Sequence, residues 1–421
     1  MNRENDVIVG LDIGSSKIAV LVCEVGENKT LEAIGIGTSP SIGLRRGMIT
    51  DIDSAAQSIS DAILRAENMS GCSIGAATVS LAGANIQAAN SKGVIAVTRQ
   101  DREITKEDVE RVLDAAKVIA IPPDREIIHV LPKEFVIDGC RGIRRPVGMS
   151  GIRLEVETHI VTGAATSIQN VRKSVSKAGI DIEQMLLQPL ASAEAVLNQD
   201  EKEQGVVLID MGSGTTNLAV FSEGSVVHTA VIPIGGSHIT NDIAVVMRVP
   251  LPIAEELKIG EGVAISSLVQ EGSICEFVPS DMGRLYRNLD KNQLAAVIQA
   301  RLEEIFSHVA AELDKIDTDC NMPASIVLTG GTSGLNSISD LASDYLDLPV
   351  RIGTINGIYG MSSIVSSPEF STVVGLCKVA YADSKYQDKP SGNSNQQKNK
   401  AAKGKKQAFG GIRDLFRDMF D

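Results

Sequence analysis

The sequence has no tryptophan, and aromatic residues make up only 3% of it. Its five histidines are scattered. Its six cysteines, Cys23, Cys72, Cys140, Cys275, Cys320 and Cys377, form no Cys-x-x-Cys pair and no Cys/His grouping with zinc spacing. A structural zinc site needs such a cluster, so that class is excluded, and reduced thiols in a cytosolic setting are expected. No run of eighteen apolar residues occurs, so no transmembrane helix is expected. The start, Met1-Asn2-Arg3-Glu4-Asn5-Asp6, lacks the apolar segment of a secretory signal. The sequence also lacks Gly-x-x-x-x-Gly-Lys-Ser/Thr, which disfavours a P-loop.

What is present is a folded chain of 421 residues, 43% hydrophobic and 22% charged. At that length two or more folded units are expected. The net charge of -13 is unevenly spread. From Asp383 onward nine Lys and Arg face five Asp, net +4, which leaves the preceding residues at -17. A body that acidic is a poor match for phosphate backbones, so no nucleic-acid partner is expected.

The chain repeats itself. Val7 to Leu11 is an apolar run that leads into Asp12-Ile13-Gly14-Ser15-Ser16-Lys17, and two further β-rich runs follow at Ile18–Val22 and Leu31–Ile36. The same order recurs 198 positions later. Val206 to Ile209 leads into Asp210-Met211-Gly212-Ser213-Gly214-Thr215-Thr216, followed by runs at Leu218–Phe221 and Val226–Ile232. Each half therefore places Asp-x-Gly-Ser at a turn between two strands. Small residues let the backbone approach an anion, and successive N–H groups can cradle it. Ser15, Ser16, Ser213, Thr215 and Thr216 add hydroxyl donors. Two such turns facing each other would clamp a polyphosphate, and Asp12 and Asp210 are natural partners of Mg²⁺.

A third glycine turn, Thr329-Gly330-Gly331-Thr332, follows the apolar strand Ile326–Leu328. It would admit a nucleotide's adenosine or α-phosphate by close backbone approach. Gln188-Pro189-Leu190-Ala191-Ser192 and Ser371–Ala380 read as small-residue helices suited to close crossing between two lobes or to ordinary tight packing.

These turns, in this order and spacing, resemble the actin-like ATPase superfamily. Within it, Val9-Gly10-Leu11-Asp12-Ile13-Gly14, Pro146-Val147-Gly148-Met149-Ser150-Gly151, Ile232-Pro233-Ile234-Gly235-Gly236 and Ala254-Glu255-Glu256-Leu257-Lys258 resemble the FtsA family of bacterial cell-division proteins. The resemblance implies an α/β, actin-like (ribonuclease H-like) two-lobed fold with duplicated halves. The first lobe would comprise residues 1–82, 164–190 and 360–382, with a small α/β interaction domain inserted at 83–163. The second lobe would comprise 191–250 and 324–359, with 251–323 as its outer part. In the insert, Val94–Val97 reads as strand, Thr105 as a helix N-cap with Asp108 three positions on, and Arg125–Val136 as returning β structure.

The resemblance also implies a set of roles. ATP and Mg²⁺ would bind between the lobes, with Asp12 and Asp210 ordering the metal and its waters. Gly14, Ser15, Ser16, Lys17 and Gly212 to Thr216 would hold phosphates. Gly235, Gly236, Gly330, Gly331 and Thr332 would complete the nucleotide site. Glu255 and Lys258 would reach the ribose or base, and Gln188 would orient a water for hydrolysis, which should be slow at most. The outer second lobe would receive the C-terminal peptide of FtsZ, with Arg284 and Arg287 meeting its acidic groups. The insert would contact later division proteins, and the chain would self-associate into filaments at the division septum.

Residues 383–408 hold seven lysines among Ser, Asn, Gln and Gly, which reads as a disordered linker reaching about 25–31 Å r.m.s.. At ~100° per residue, Phe409, Ile412, Leu415, Phe416, Met419 and Phe420 then share an arc of roughly 140°. A dozen helical residues reach about 18 Å, too short to cross a ~30 Å hydrocarbon core. An amphipathic helix over 409–421, lying on anionic lipid at the cytoplasmic face of the membrane, is therefore expected. The helix itself is net -1, so the attraction must come from the upstream lysines. The alternatives are another actin-like membrane adaptor of the PilM pilus-assembly type, or a small-molecule kinase of the same fold.

Overall fold

The computed structural model describes residues 7–26, 29–118, 121–275, 289–316 and 323–387. Arg284, Arg287 and the helix expected over 409–421 lie outside the described residues.

The chain opens with an antiparallel meander of β1 (Val7–Ile13), β2 (Lys17–Val25) and β3 (Leu31–Pro40). A two-residue ribbon follows, β4 (Leu44–Arg45) on β5 (Met48–Ile49). Next comes α1 (Ile52–Ser70), capped by the Asp51 carboxylate, which accepts from the Asp53 and Ser54 N–H groups. β6 (Ala76–Leu81) then runs parallel to β1.

The chain leaves this sheet to build a separate antiparallel one. It consists of β7 (Gln87–Ala96), α2 (Lys106–Ala116), β8 (Arg125–Ile137), β9 (Cys140–Ile143) and β10 (Arg153–Ala164), in strand order β7-β10-β8-β9. Thr105 caps α2 in a capping box with Asp108: Thr105 Oγ1 accepts from the Asp108 N–H, and the Asp108 carboxylate accepts from the Thr105 N–H. The chain returns through α3 (Ala165–Lys177) to β11 (Asp181–Leu187), parallel to β6. The first sheet thus has the order β11-β6-β1-β2-β3.

The second half opens with α4 (Gln188–Val196) and α5 (Gln199–Gln204), then the meander β12 (Val206–Met211), β13 (Thr216–Ser222) and β14 (Ser225–Ile232). It continues through α6 (Gly236–Met247), α7 (Leu251–Glu261) and the short pair β15 (Ile274–Cys275) and β16 (Leu289–Asp290). α8 (Lys291–Leu313), β17 (Ser325–Thr329), α9 (Ile338–Leu346), β18 (Val350–Ile352), α10 (Ser362–Val365) and α11 (Ser371–Gln387) complete it. Its sheet order, β14-β13-β12-β17-β18, repeats the first sheet: three antiparallel strands, then two parallel neighbours. The last helix runs to Gln387, past Ala382, where the linker was expected to begin. The small-residue helix starting at Ser371 simply continues through Asp383.

Burial explains the central strands. All of β12 is buried, and its side chains alternate between two cores. Val207, Ile209 and Met211 face the core under α6 and α8, while Val206 and Leu208 face a core shared with α4, α11, the first sheet and the inserted unit. That shared core joins the insert to the second half, although its sequence interrupts the first. Arg144, just after β9, forms a two-pronged ion pair with Glu203 of α5, at 2.6 and 2.7 Å. Ser225 Oγ donates to the Lys133 carbonyl, and His159 Nε2 lies 2.9 Å from Thr229 Oγ1.

Candidate functional site

The two Asp-x-Gly-Ser turns meet. β1 and β2 deliver the first, β12 and β13 the second, and a β-carbon built on Gly214 would fall 2.6 Å from Ser15 Oγ. Only glycine lets the turns approach this closely. The second turn is closed by the Gly212 N–H donating to the Thr215 carbonyl at 2.9 Å. Its base is packed by α6 and the third glycine turn: the Gly236 N–H and Thr332 Oγ1 both donate to the Gly212 carbonyl, at 2.9 and 3.1 Å. The Ser237 N–H and hydroxyl donate to the Ser213 carbonyl.

Asp12 and Asp210 sit behind these turns, both buried. Asp12 Oδ1 accepts from Ser80 Oγ at 2.7 Å and from Gln188 Nε2 at 2.9 Å. Asp210 Oδ2 accepts from Ser192 Oγ at 2.6 Å and from Thr372 Oγ1 at 3.3 Å. Burial lifts the Asp12 carboxyl above its ordinary range, against the hydrogen bonds from Gln188 and Ser80 and the charge of Lys17. Burial pushes Asp210 up to about 6; Ser192 pulls against this, and the Asp12 carboxylate adds to it. Two buried carboxylates that repel each other form an all-oxygen donor set whose charge a hard divalent cation would relieve. The residues therefore fit Mg²⁺.

The remaining expected residues fall around the same point. Gly330 adopts φ +84, and a β-carbon on it would lie 2.7 Å from the Met211 carbonyl and closer still to the Asp210 carboxylate. Lys258 Nζ, buried, donates to Glu255 Oε2 at 2.7 Å, to Thr240 Oγ1 at 3.0 Å and to the Gly236 carbonyl at 3.3 Å. Gly235 ends the connection into α6. Gly331 packs against Glu369. Ser16 is exposed. Lys17 does not stand free over the turn. Its Nζ pairs with Glu369 at 2.8 Å and lies 3.7 Å from the centroid of the Phe370 ring.

Several further polar residues complete the site. Ser80 both donates to Asp12 and accepts from the Ile13 N–H. Asn217, opposite Asp210 on β13, donates from Nδ2 to Gln188 Oε1 at 3.2 Å, while its buried Oδ1 has no partner among the described residues. Ser192 and Thr372 tie Asp210 to α4 and α11, their hydroxyls 2.9 Å apart. Polar residues inside apolar strands and helices were the available clue. Each of them looks unremarkable by itself.

Comparison with known proteins comes to the same architecture. The model of the SHS2 domain inserted in FtsA matches residues 83–162, and that of cell division protein FtsA matches residues 207–375. Cell division protein FtsA of Pseudomonas aeruginosa is 46% identical over 374 residues, covering 89% of each chain. That of Borreliella burgdorferi is 42% identical, covering 90% of this chain and 92% of its own. That of Escherichia coli K12 is 35% identical, covering 89% and 90%. Among solved structures, the PilM-PilN type IV pilus biogenesis complex aligns with TM-score 0.63 at 17% identity, covering 89% of this chain and 98% of that one. MreB5 of Spiroplasma citri bound to ADP aligns with TM-score 0.54 at 14% identity, covering 91% and 98%.

Proposed function

Because this chain belongs to the FtsA family of cell-division proteins, we propose that it binds ATP with Mg²⁺ between its lobes, assembles into filaments on the cytoplasmic face of the membrane, and anchors the FtsZ ring there. The observation that carries the nucleotide reading is the meeting of the two glycine turns in front of Asp12 and Asp210. Spiroplasma citri MreB5, of the same fold, was solved with ADP and with AMPPNP bound.

In this reading the turns Gly14 to Lys17 and Gly212 to Thr216 hold the phosphates through their unspent N–H groups and hydroxyls, the Gly212 N–H itself closing the second turn. Lys17 adds a positive charge, which it must first withdraw from Glu369. The metal would be held by Asp12 and Asp210 and would supply charge neutralisation to the phosphates. Glu255 and Lys258 fix each other beside Gly236 and Thr332, on the side that would take the ribose and base. Gln188, held between Asp12 and Asn217, would orient the water. It is an amide and cannot act as a strong base, so turnover is slow and ATP serves mainly to favour one lobe arrangement.

The membrane reading rests on the sequence of 409–421, with Phe409, Ile412, Leu415, Phe416, Met419 and Phe420 as the buried face and upstream lysines over anionic lipid. One short helix binds weakly, so filament assembly would supply avidity. Arg284 and Arg287 would serve the FtsZ peptide, and the insert would serve later division proteins. Co-sedimentation with liposomes containing anionic lipid, in the presence of ATP, compares the full chain with one ending at Gln387, the last residue of α11. Pelleting of the full chain alone is expected; equal pelleting of both would remove the anchor.

A further inference from the structure

The ribbon between β3 and α1 carries a feature that the nucleotide reading leaves unused. Its tip, Arg45-Arg46-Gly47, lies across the seam where the two phosphate turns meet. The Gly47 N–H donates to Ser15 Oγ of the first turn at 2.9 Å. A β-carbon built on Gly214 of the second turn would lie 3.3 Å from the Arg46 Cα. One residue pair thus touches both turns.

Arg46 (φ +51) and Gly47 (φ +73) are the two left-handed central residues of the hairpin turn that joins β4 to β5, which sets Arg46 at the tip of the ribbon. The side chain is exposed, and among the described residues Arg46 has no ion-pair or hydrogen-bond partner. Lys17, the cation within the first turn, is by contrast already engaged by Glu369.

The polarity of the site fixes what Arg46 would meet. Gly236, Thr332 and Lys258 pack around Gly212 at the base of the second turn, the side assigned to ribose and base. The ribbon packs on Gly214 and Ser15, at the turn tips. A nucleotide entering from the Lys258 side would bring its last phosphate to the tips. We propose that Arg46 contacts the terminal phosphate of a bound nucleoside triphosphate, making the ribbon a sensor that separates triphosphate from diphosphate. The proposal rests on the nucleotide reading above. A guanidinium suits the task, because its planar fork pairs with two phosphate oxygens at once.

The test is titration calorimetry of the full chain with ATP and, separately, ADP, each with Mg²⁺. Arg46→Asn removes the charge while tolerating the left-handed backbone, and Arg46→Lys keeps a cation. Arg46→Asn is expected to weaken ATP about tenfold, the scale of one charge-assisted hydrogen bond, and ADP less than about twofold. Arg46→Lys should recover part of the ATP affinity. Equal losses for ATP and ADP would show that the ribbon only shapes the turns, and would overturn the proposal. So would unchanged ATP affinity in Arg46→Asn when the unaltered chain binds ATP. If the unaltered chain binds neither nucleotide, the site reading itself fails, and the role of Arg46 falls with it.

Discussion

Replacing Gly375 by alanine probes how the helix crossing supports the site. α11 passes so close to α4 that a β-carbon on Gly375 would lie 3.1 Å from the Ala191 Cα and nearer still to the Ala191 carbonyl group. Ordinary carbon–carbon contact is about 3.5–4.0 Å, and the neighbour is backbone, which no rotamer change can move aside. On the other side of α11 space is equally short: a β-carbon on Gly10 of β1 would lie 2.8 Å from the Val373 carbonyl and 3.0 Å from Cys377 Sγ. Overpacking a well-filled core costs about 1–3 kcal/mol, and a rigid backbone obstacle places this case at the upper end. Alanine's helix propensity returns about 1 kcal/mol, leaving a net loss of about 2 kcal/mol. The crossing also carries Ser192 and Thr372, whose hydroxyls bond each other and Asp210. Parting the helices should therefore weaken nucleotide binding as well as stability. Chemical denaturation and nucleotide titration of the same preparation measure both. A Gly375→Ala protein within about 0.5 kcal/mol of the original, with unchanged nucleotide affinity, would refute the account of this crossing.

Three further outcomes are expected. Burial holds the His129 and His159 side chains down to about 3, so the folded protein binds fewer protons than the unfolded chain between that value and about 6.5. Stability is then fully present above about 6.5 and lost as pH falls, by roughly 2 kcal/mol per histidine at pH 5; denaturation at pH 7.5 and 5.0 on the original and on His159→Gln should show a smaller loss in the variant. Thr105→Ala removes the hydroxyl that accepts from the Asp108 N–H and should cost about 1 kcal/mol, read by denaturant midpoint, with no effect on nucleotide binding. Arg144→Glu sets two acids face to face at the α5 contact; it should raise protease cleavage within residues 83–163, and an unchanged digestion pattern would count against the docking of the insert on the second lobe.

The duplicated architecture was legible because it is local. Each Asp-x-Gly-Ser turn follows an apolar run ending at Asp12 or Asp210, and the flanking strand periodicity repeats with it. The Thr105 cap and the return of β8 at Arg125 were legible for the same reason: a cap and its helix are neighbours in sequence. What escaped was long-range. Nothing near Arg144 announces Glu203, and nothing near Lys17 announces Glu369, because those pairings exist only once the sheets are stacked. Ser80, Ser192, Asn217 and Thr372 escaped because one polar residue in an apolar element has many possible partners, and the chain does not say which.

The nucleotide site proposed for this cell-division protein is built from two glycine turns and two buried carboxylates. Calorimetric titration of ATP with and without Mg²⁺, on the original chain and on Asp210→Ala, tests it most directly. Mg²⁺-dependent ATP binding is expected, and Asp210→Ala should abolish it while the variant keeps its native circular dichroism. ATP bound with equal affinity by a folded Asp210→Ala protein would contradict it.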